Sequence, residues 1–215
     1  MLFTEIRLRE VRARNRIVVS PMCQYSAKDG FVDDWHLVHL GKFAQGGAGI
    51  VFVEATAVEK RGRITHGDVG IWDDAHIAGL QRISAFIKSQ GAIPAIQLAH
   101  AGRKASMARP WYGNGPLTQA DLERGDKPWG TVAPTETSLG EGWISPRAFK
   151  QGDFETVLNA FYPTTTDRRL HRGVWKPLLH TLSGWRYRRR FYRWPLELRA
   201  LQRLMRYQRP ETSGF

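Results

Sequence analysis

The sequence contains one cysteine, Cys23, among its 215 residues. A single thiol cannot form a disulfide within the chain, so packing must provide its stability, which suits a reducing compartment. No apolar run approaches the roughly 20 residues of a membrane span, and the N-terminus lacks the basic start and apolar core of a signal peptide. These absences predict a cytoplasmic protein with no membrane partner.

Acidic and β-branched residues are scarce in the last quarter of the chain. Residues 162–215 contain three Asp or Glu against 13 Lys or Arg, with no Ile and one Val. Residues 1–161 contain 17 acidic and 19 basic residues, so the net charge of +12 lies almost entirely in the tail. We therefore predict two regions, a folded domain over 1–161 and an Arg/Trp-rich basic tail of uncertain structure over 162–215.

Apolar patterning predicts an alternation of strands and helices in the first region. Three buried strands are predicted at residues 17–20, 49–56 and 92–98. Helices are predicted from Asp33 and Asp34 to Gly46, from Asp73 and Asp74 to about Gly91, and from Asp153 onward. Strand, helix, strand, helix, strand with short turns indicates a parallel sheet in an α/β fold.

Other stretches predict smaller features. Residues 2–14 are expected to form a lead-in hairpin or cap, 58–65 a hairpin excursion, and 99–150 a long functional or mobile loop. Five arginines alternate in the first stretch and are interpreted as the solvated face of extended chain: Arg7, Arg9, Arg12, Arg14 and Arg16.

Candidate binding side chains follow the predicted strands. Cys23 and Tyr25 come after the first strand, Ala57 after the second, and Gln97 and Lys104 at the end of the third. The carboxyl ends of parallel strands meet at one rim, where ligands bind. An amide donates and accepts at once, a small residue admits a flat ligand, and a tyrosine can donate a proton. Taken alone, Cys23 is better interpreted as a small buried hydrophobe, because free cysteine is among the most buried residue types, and the other strand ends favour a site residue.

Two further patterns are weaker signals. The Gly46–Gly49 stretch precedes a strand, which favours a helix C-cap and turn over a phosphate loop. His36 and His39 could share a metal, but no third ligand of suitable spacing is evident, so core or rim histidines are the better interpretation. No metal site is predicted.

Five stretches together resemble the old yellow enzyme family, in particular its cysteine-containing, thermophilic-like subclass of FMN-dependent NAD(P)H ene-reductases. They are Ser20-Pro21-Met22-Cys23-Gln24-Tyr25, Asp34-Trp35-His36-Leu37-Val38-His39, Val53-Glu54-Ala55-Thr56-Ala57-Val58, Gly70-Ile71-Trp72-Asp73-Asp74-Ala75-His76 and Gln97-Leu98-Ala99-His100-Ala101-Gly102-Arg103-Lys104. The resemblance covers residues 1 to about 161 in the expected order.

The resemblance implies a TIM barrel with FMN at its C-terminal face and NAD(P)H as reductant. By resemblance, Cys23 tunes the flavin, Ala57 contacts its ring, Gln97 binds its pyrimidine end, and Tyr25 faces the substrate with Lys104 nearby. The remaining residues implied to line the flavin are Ser20, Pro21 and Met22. The implied reaction is ping-pong: NAD(P)H reduces FMN, and a hydride then passes to an activated alkene such as an enone.

The sequence also departs from this family. No counterpart of the family's His-bearing fourth strand follows Phe161, and 215 residues fall short of the roughly 250 of a complete barrel. We therefore expect the N-terminal portion of a (β/α)8 barrel, incomplete, with an unrelated basic tail, and a truncated, weakly active or inactive enzyme. The family's full-length members could form homo-oligomers.

Three origins of the tail remain open. A shifted reading frame or misassembled gene fits its composition best. A basic extension that binds nucleic acid through Arg, Tyr and Trp is a second, and a linker or unrecognised structure is the third. The alternative function is therefore a non-catalytic fragment whose tail binds nucleic acid, although nucleic acid is not our expected partner.

Overall fold

The structure is a computed structural model that describes residues 1–9 and 11–166, with side chains described up to Phe161. Its elements follow the chain in the order β1 (Ile6–Leu8), β2 (Val11–Ala13), β3 (Val18–Val19), α1 (Asp34–Gln45), β4 (Ile50–Ala57), β5 (Val69–Gly70), α2 (Ile77–Ser89), β6 (Ile93–Ala99), α3 (Gln119–Glu123), β7 (Val132–Ala133), β8 (Arg147–Ala148) and α4 (Gln151–Thr166). The predicted tail, apart from the end of α4, lies outside the described residues.

The central sheet is parallel and is organised around β4. Strand β4 pairs with β3 on one side and with β6 on the other, and its last two residues also pair with β5. The three predicted strands and their parallel order are thus confirmed. The first strand is shorter than predicted, because only Val18 and Val19 form the ladder with β4.

Apolar side chains cover both faces of this sheet. On one face, Val51 and Val53 pack in a cluster with Leu80, Ile83 and Ile87 of α2. On the other face, Ile50 and Ala95 pack against Val11 and Ala13 of the β1–β2 hairpin. A strand buried on both faces reads as a continuous apolar run, as residues 50–53 do. The predicted lead-in hairpin is confirmed, and it closes the sheet near the strand beginnings.

The helix ends confirm the predicted capping residues. Asp33 accepts a hydrogen bond from the Trp35 amide at the start of α1, and Asp73 accepts one from Ala75 in the 3-10 turn before α2. Gly46 caps the end of α1, and Gly47 adopts a φ of 96°, which favours glycine. The glycines before β4 are therefore a helix cap and turn.

The five alternating arginines are all exposed, as the predicted solvated face requires. Arg14 has a further role that the sequence did not indicate. Its guanidinium donates hydrogen bonds to the carbonyls of Ala44 in the last turn of α1, of Ala48 in the turn that follows, and of Gln90 after α2. This exposed side chain therefore joins the hairpin to groups at least 30 positions away in the chain.

The excursion after β4 is also not the predicted hairpin. Residues Lys60–Gly62 form one 3-10 turn, and β5 returns to pair in parallel with the end of β4. Asp68 organises the segment, because its buried carboxylate accepts hydrogen bonds from the amides of Ile64 and Thr65. Local carboxylate-to-amide bonds of this kind replace a strand ladder.

The long loop over 99–150 contains only short elements in the structure, as predicted. It is tied to the excursion after β4 by Trp129, whose indole donates to the Arg61 carbonyl at 3.0 Å. The Arg63 guanidinium lies over the rings of Trp129 and Trp72, 4.7 and 5.5 Å from their centroids. Within residues 1–9 and 11–166, no helix has the length and apolarity needed to cross a membrane.

Candidate functional site

A β-bulge near the end of β4 sets the orientation of the candidate site. Val53 pairs with Ile96, but the next pair is Ala55 with Gln97, so Glu54 is an extra residue in β4. Bulges re-aim the side chains that follow them. Here the bulge brings Ala55 and Ala57 to the same face of the sheet as Gln97.

Gln97 and Ala57 occupy the positions expected of a flat-ligand site. Gln97 lies two residues beyond Ala95 on the hairpin side of β6, and its side chain is exposed. Ala57 pairs with Ala99 across β4 and β6, on the same face of the sheet as Gln97, and Ala57 is itself buried, at 1% exposed. A small apolar surface next to a donor and acceptor suits a planar heterocycle.

The segment after β3 brings Cys23 and Tyr25 to the same end of β4. Cys23 is half-buried, and its neighbour Gln24 donates its amide to Glu54 of β4 at 2.8 Å, which places the segment beside that strand. Burial, reinforced by the negative charge of Glu54, raises the pKa of the Cys23 thiol. Burial also raises the pKa of Tyr25 to about 12, so its hydroxyl keeps its proton at neutral pH.

Three other candidates line the approach to Cys23. Ser20 and Met22 are exposed, and Pro21 is half-buried between them. Pro21 lies two residues beyond β3 and has no amide hydrogen to donate, so the ladder with β4 cannot continue through it.

Lys104 lies on the loop after β6 rather than on the sheet. It ends the 3-10 turn Gly102–Lys104 and is exposed. Among the described residues, no hydrogen bond or ion pair joins its side chain to the other candidates. The same loop places Trp111 beside Tyr25, with ring centroids 6.3 Å apart and nearly perpendicular planes.

Sequence reasoning missed Glu54 as a site residue. Its side chain is only 4% exposed, and its Oε2 accepts a hydrogen bond from the Gln24 amide at 2.8 Å. Burial raises the pKa of Glu54 to about 7. The available signal was an acidic residue within an apolar strand, since charged residues are rarely buried without a partner.

The histidines singled out in the sequence have structural partners. Nδ1 of His36 lies 2.9 Å from the Asp33 carboxylate, and Nε2 lies 3.6 Å from Oε1 of Glu54. His39 packs edge-on against Phe43. Over the part of the chain that the structure describes, no group of three or more His, Cys, Asp or Glu side chains is placed to hold a metal.

Residues 1–145 match the sequence model of the NADH:flavin oxidoreductase / NADH oxidase family. The chain belongs to this family. An NADH:flavin oxidoreductase from Gibberella zeae is 47% identical over 185 residues, covering 86% of this chain and 44% of the relative. An NADPH dehydrogenase from Bacillus licheniformis is 53% identical over 153 residues, covering 70% of this chain and 43% of the relative.

Solved structures of the family share the fold. Morphinone reductase superimposes with a TM-score of 0.63 at 20% identity, over 80% of this chain and 45% of that chain. The old yellow enzyme homologue from Zymomonas mobilis gives a TM-score of 0.57 at 23% identity, over 74% and 42% of the two chains. The predicted family and fold class, an α/β chain forming part of a TIM barrel, are confirmed.

The chain spans less than half the length of the curated relatives that it matches. The Gibberella alignment covers more of the chain than residues 1–161 could supply, so it includes part of the region assigned to the tail. The boundary at residue 161 therefore stays a prediction. The family is one of NAD(P)H-dependent flavin oxidoreductases, and FMN is its cofactor.

Proposed function

We propose that this chain forms the flavin-contacting wall of an FMN-dependent NAD(P)H oxidoreductase that reduces activated C=C bonds, such as those of enones. The main supporting observation is the convergence of Cys23, Ala57 and Gln97 at the carboxyl ends of β3, β4 and β6. In barrels of this class, ligands bind at that end of the strands.

The residues present fit an isoalloxazine ring. The exposed Gln97 amide can donate to and accept from the heterocycle edge, and on the same face of the sheet lie the small side chains of Ala57, which is buried, and Ala99, which is half-buried. Cys23 supplies a polarisable thiol at the side of this surface, and Ser20, Pro21 and Met22 extend it. When bound, FMN supplies the hydride-transfer chemistry, and the protein binds and orients.

Tyr25 is the proposed proton donor and substrate-facing group. Burial raises the pKa of Tyr25 to about 12, so the hydroxyl carries its proton at neutral pH. A hydroxyl donor in this position can protonate the substrate carbon or polarise its carbonyl oxygen. Trp111 lies against Tyr25 with 56% of its surface exposed, which gives a planar substrate an apolar wall. Lys104 contributes positive charge on the same loop.

Replacing Tyr25 with phenylalanine tests this role. We expect NADPH-dependent reduction of 2-cyclohexenone by the FMN-loaded full chain to fall about 100-fold, because general acid catalysis typically contributes at least that factor. The matched control is Tyr112→Phe. Tyr112 is exposed, its ring contacts the adjacent Trp111 side chain on the loop, and the Arg124 guanidinium lies over it. Control turnover is expected within twofold of wild type, and equal rates for the two variants would reject the role of Tyr25.

The alternative, a fragment whose tail binds nucleic acid, depends on residues 162–215, whose side chains lie outside the described residues. No contact in the described part favours it. The cytoplasmic location and homo-oligomeric assembly likewise stay expectations from the sequence.

A further inference from the structure

The backbone of the Cys23–Tyr25 segment is strained, because Tyr25 has a left-handed conformation with a φ of 51°. A non-glycine residue in this region is uncommon and costs free energy, so it persists only where its surroundings fix it. The segment also carries two of the proposed flavin and substrate contacts. The contacts that stabilise this backbone therefore also position Cys23 and Tyr25 in the candidate site.

Glu54 of β4 contacts this segment directly. Its carboxylate accepts a hydrogen bond from the Gln24 amide at 2.8 Å. This amide belongs to the residue immediately before the strained Tyr25. A buried amide without an acceptor would be costly, so the carboxylate fixes both the path and the strain of the segment.

The bulge explains why Glu54 can reach this amide. As the extra residue between the pairs Val53–Ile96 and Ala55–Gln97, Glu54 is freed from the regular alternation of β4. The same bulge turns Ala57 to the face of Gln97. The bulge therefore determines both the face on which Ala57 lies and the position of the Glu54 carboxylate that binds the Cys23–Tyr25 segment.

His36 backs the carboxylate from α1. Its Nε2 is buried, has no hydrogen-bond partner within normal distance, and lies 3.6 Å from Oε1 of Glu54. On the other side of the ring, Nδ1 lies 3.2 Å from the Asp33 amide nitrogen and 2.9 Å from the Asp33 carboxylate, and these contacts hold the imidazole in place behind Glu54. The other titratable groups facing Glu54 are Asp68, Cys23 and Tyr25.

We propose that Glu54 is a positioning residue: its buried carboxylate, presented by the bulge and backed by His36, holds the Cys23–Tyr25 segment through the Gln24 amide and so places its negative charge close to Cys23, the residue before Gln24. This role rests on the proposed function in one respect: the FMN affinity measurement below requires that the chain binds FMN. It assigns no contact between Glu54 and the flavin.

Two variants distinguish the effect of the hydrogen bond from the Gln24 amide from the effect of the negative charge on Glu54. Glu54→Gln keeps an acceptor oxygen and the side-chain volume but removes the charge. Glu54→Ala removes both. Glu136→Gln is the matched control, since it removes one charge from an exposed glutamate in the long loop. Circular dichroism of each full-length variant checks that it is folded.

The first readout is alkylation of Cys23 by iodoacetamide between pH 6.5 and 10.5, without FMN. Cys23 is the only thiol, so the rate reports on it alone. Because an adjacent negative charge disfavours the thiolate, the pH midpoint is expected to fall in both Glu54 variants and to stay unchanged in Glu136→Gln. A purely structural role would leave the Glu54→Gln midpoint at the wild-type value, and that result would overturn the proposal.

The second readout is the affinity for FMN. We expect at least a tenfold loss in Glu54→Ala and less than a threefold loss in Glu54→Gln, because only the alanine variant leaves the Gln24 amide without its acceptor. If Glu54→Ala binds FMN with wild-type affinity, Glu54 does not position the Cys23–Tyr25 segment. If wild-type protein binds no FMN, the proposed function fails, and the alkylation midpoint alone decides the role of Glu54.

Discussion

Replacing Gly67 with alanine is expected to destabilise the fold by about 3 kcal/mol, the upper part of the usual range for overpacking a closely packed position. A Cβ added at Gly67 would overlap the Tyr25 carbonyl oxygen and would approach Nε of Arg109 to 2.9 Å. The first group is backbone and cannot rotate away. In addition, the Gly67 carbonyl accepts the Ala27 amide at 2.9 Å, so both sides of the close approach are fixed.

The measurement is the urea midpoint of unfolding of the full chain. Gly130→Ala is the control, because a Cβ there meets nothing within 4 Å, and its midpoint is expected to stay near that of wild type. The displaced Tyr25 should also weaken FMN binding in the alanine variant at position 67. Equal midpoints for the two variants would mean that the segment after β3 does not pack on Gly67 as described.

Removing Arg63 is expected to cost about 2–4 kcal/mol, combining a desolvated cation–π contact with the packing lost between two indoles. The side chain is 6% exposed, lies over Trp72 and Trp129, and donates to the Lys60 carbonyl at 2.9 Å. It links the excursion after β4 to the loop that carries Lys104 and Trp111. We therefore expect Arg63→Ala to lower the urea midpoint and to expose that loop to trypsin.

Arg12→Ala provides the comparison for Arg63. The Arg12 side chain is 66% exposed, and its ion pair with Glu5 is 4.0 Å long. An exposed pair of this kind contributes little, so its loss should change stability by less than about 0.5 kcal/mol. If Arg63→Ala unfolds at the same urea concentration as Arg12→Ala, then the two tryptophans do not depend on the guanidinium between them.

The parallel sheet could be predicted because its signals are local. The apolar run of β4, the aspartates before α1 and α2, and the glycines after α1 each carry their meaning within a few residues. The ends of the predicted strands pointed to Cys23, Ala57 and Gln97, the resemblance assigned them roles around a flavin, and the ladders place the strand ends at one end of the sheet. The family and fold followed from the same motifs.

What the sequence did not reveal depends on the pairing of distant segments. The bulge at Glu54 exists only as a mismatch between two strands, and neither strand shows it alone. The hydrogen bonds of Arg14 join helix ends far away in the chain. The excursion after β4 was mistaken for a hairpin because Asp68 folds it through backbone amides, a pattern that apolar periodicity does not detect.

The central claim is that the carboxyl ends of β3, β4 and β6 form an FMN site, and an FMN titration of the full chain tests it most directly. Quenching of flavin fluorescence should be saturable, with one FMN per chain. Gln97→Ala should weaken binding at least tenfold, and Gln119→Ala, which removes an exposed amide on α3, should leave it unchanged. Absence of saturable quenching, or equal affinities for wild type and Gln97→Ala, would contradict the assignment of the site.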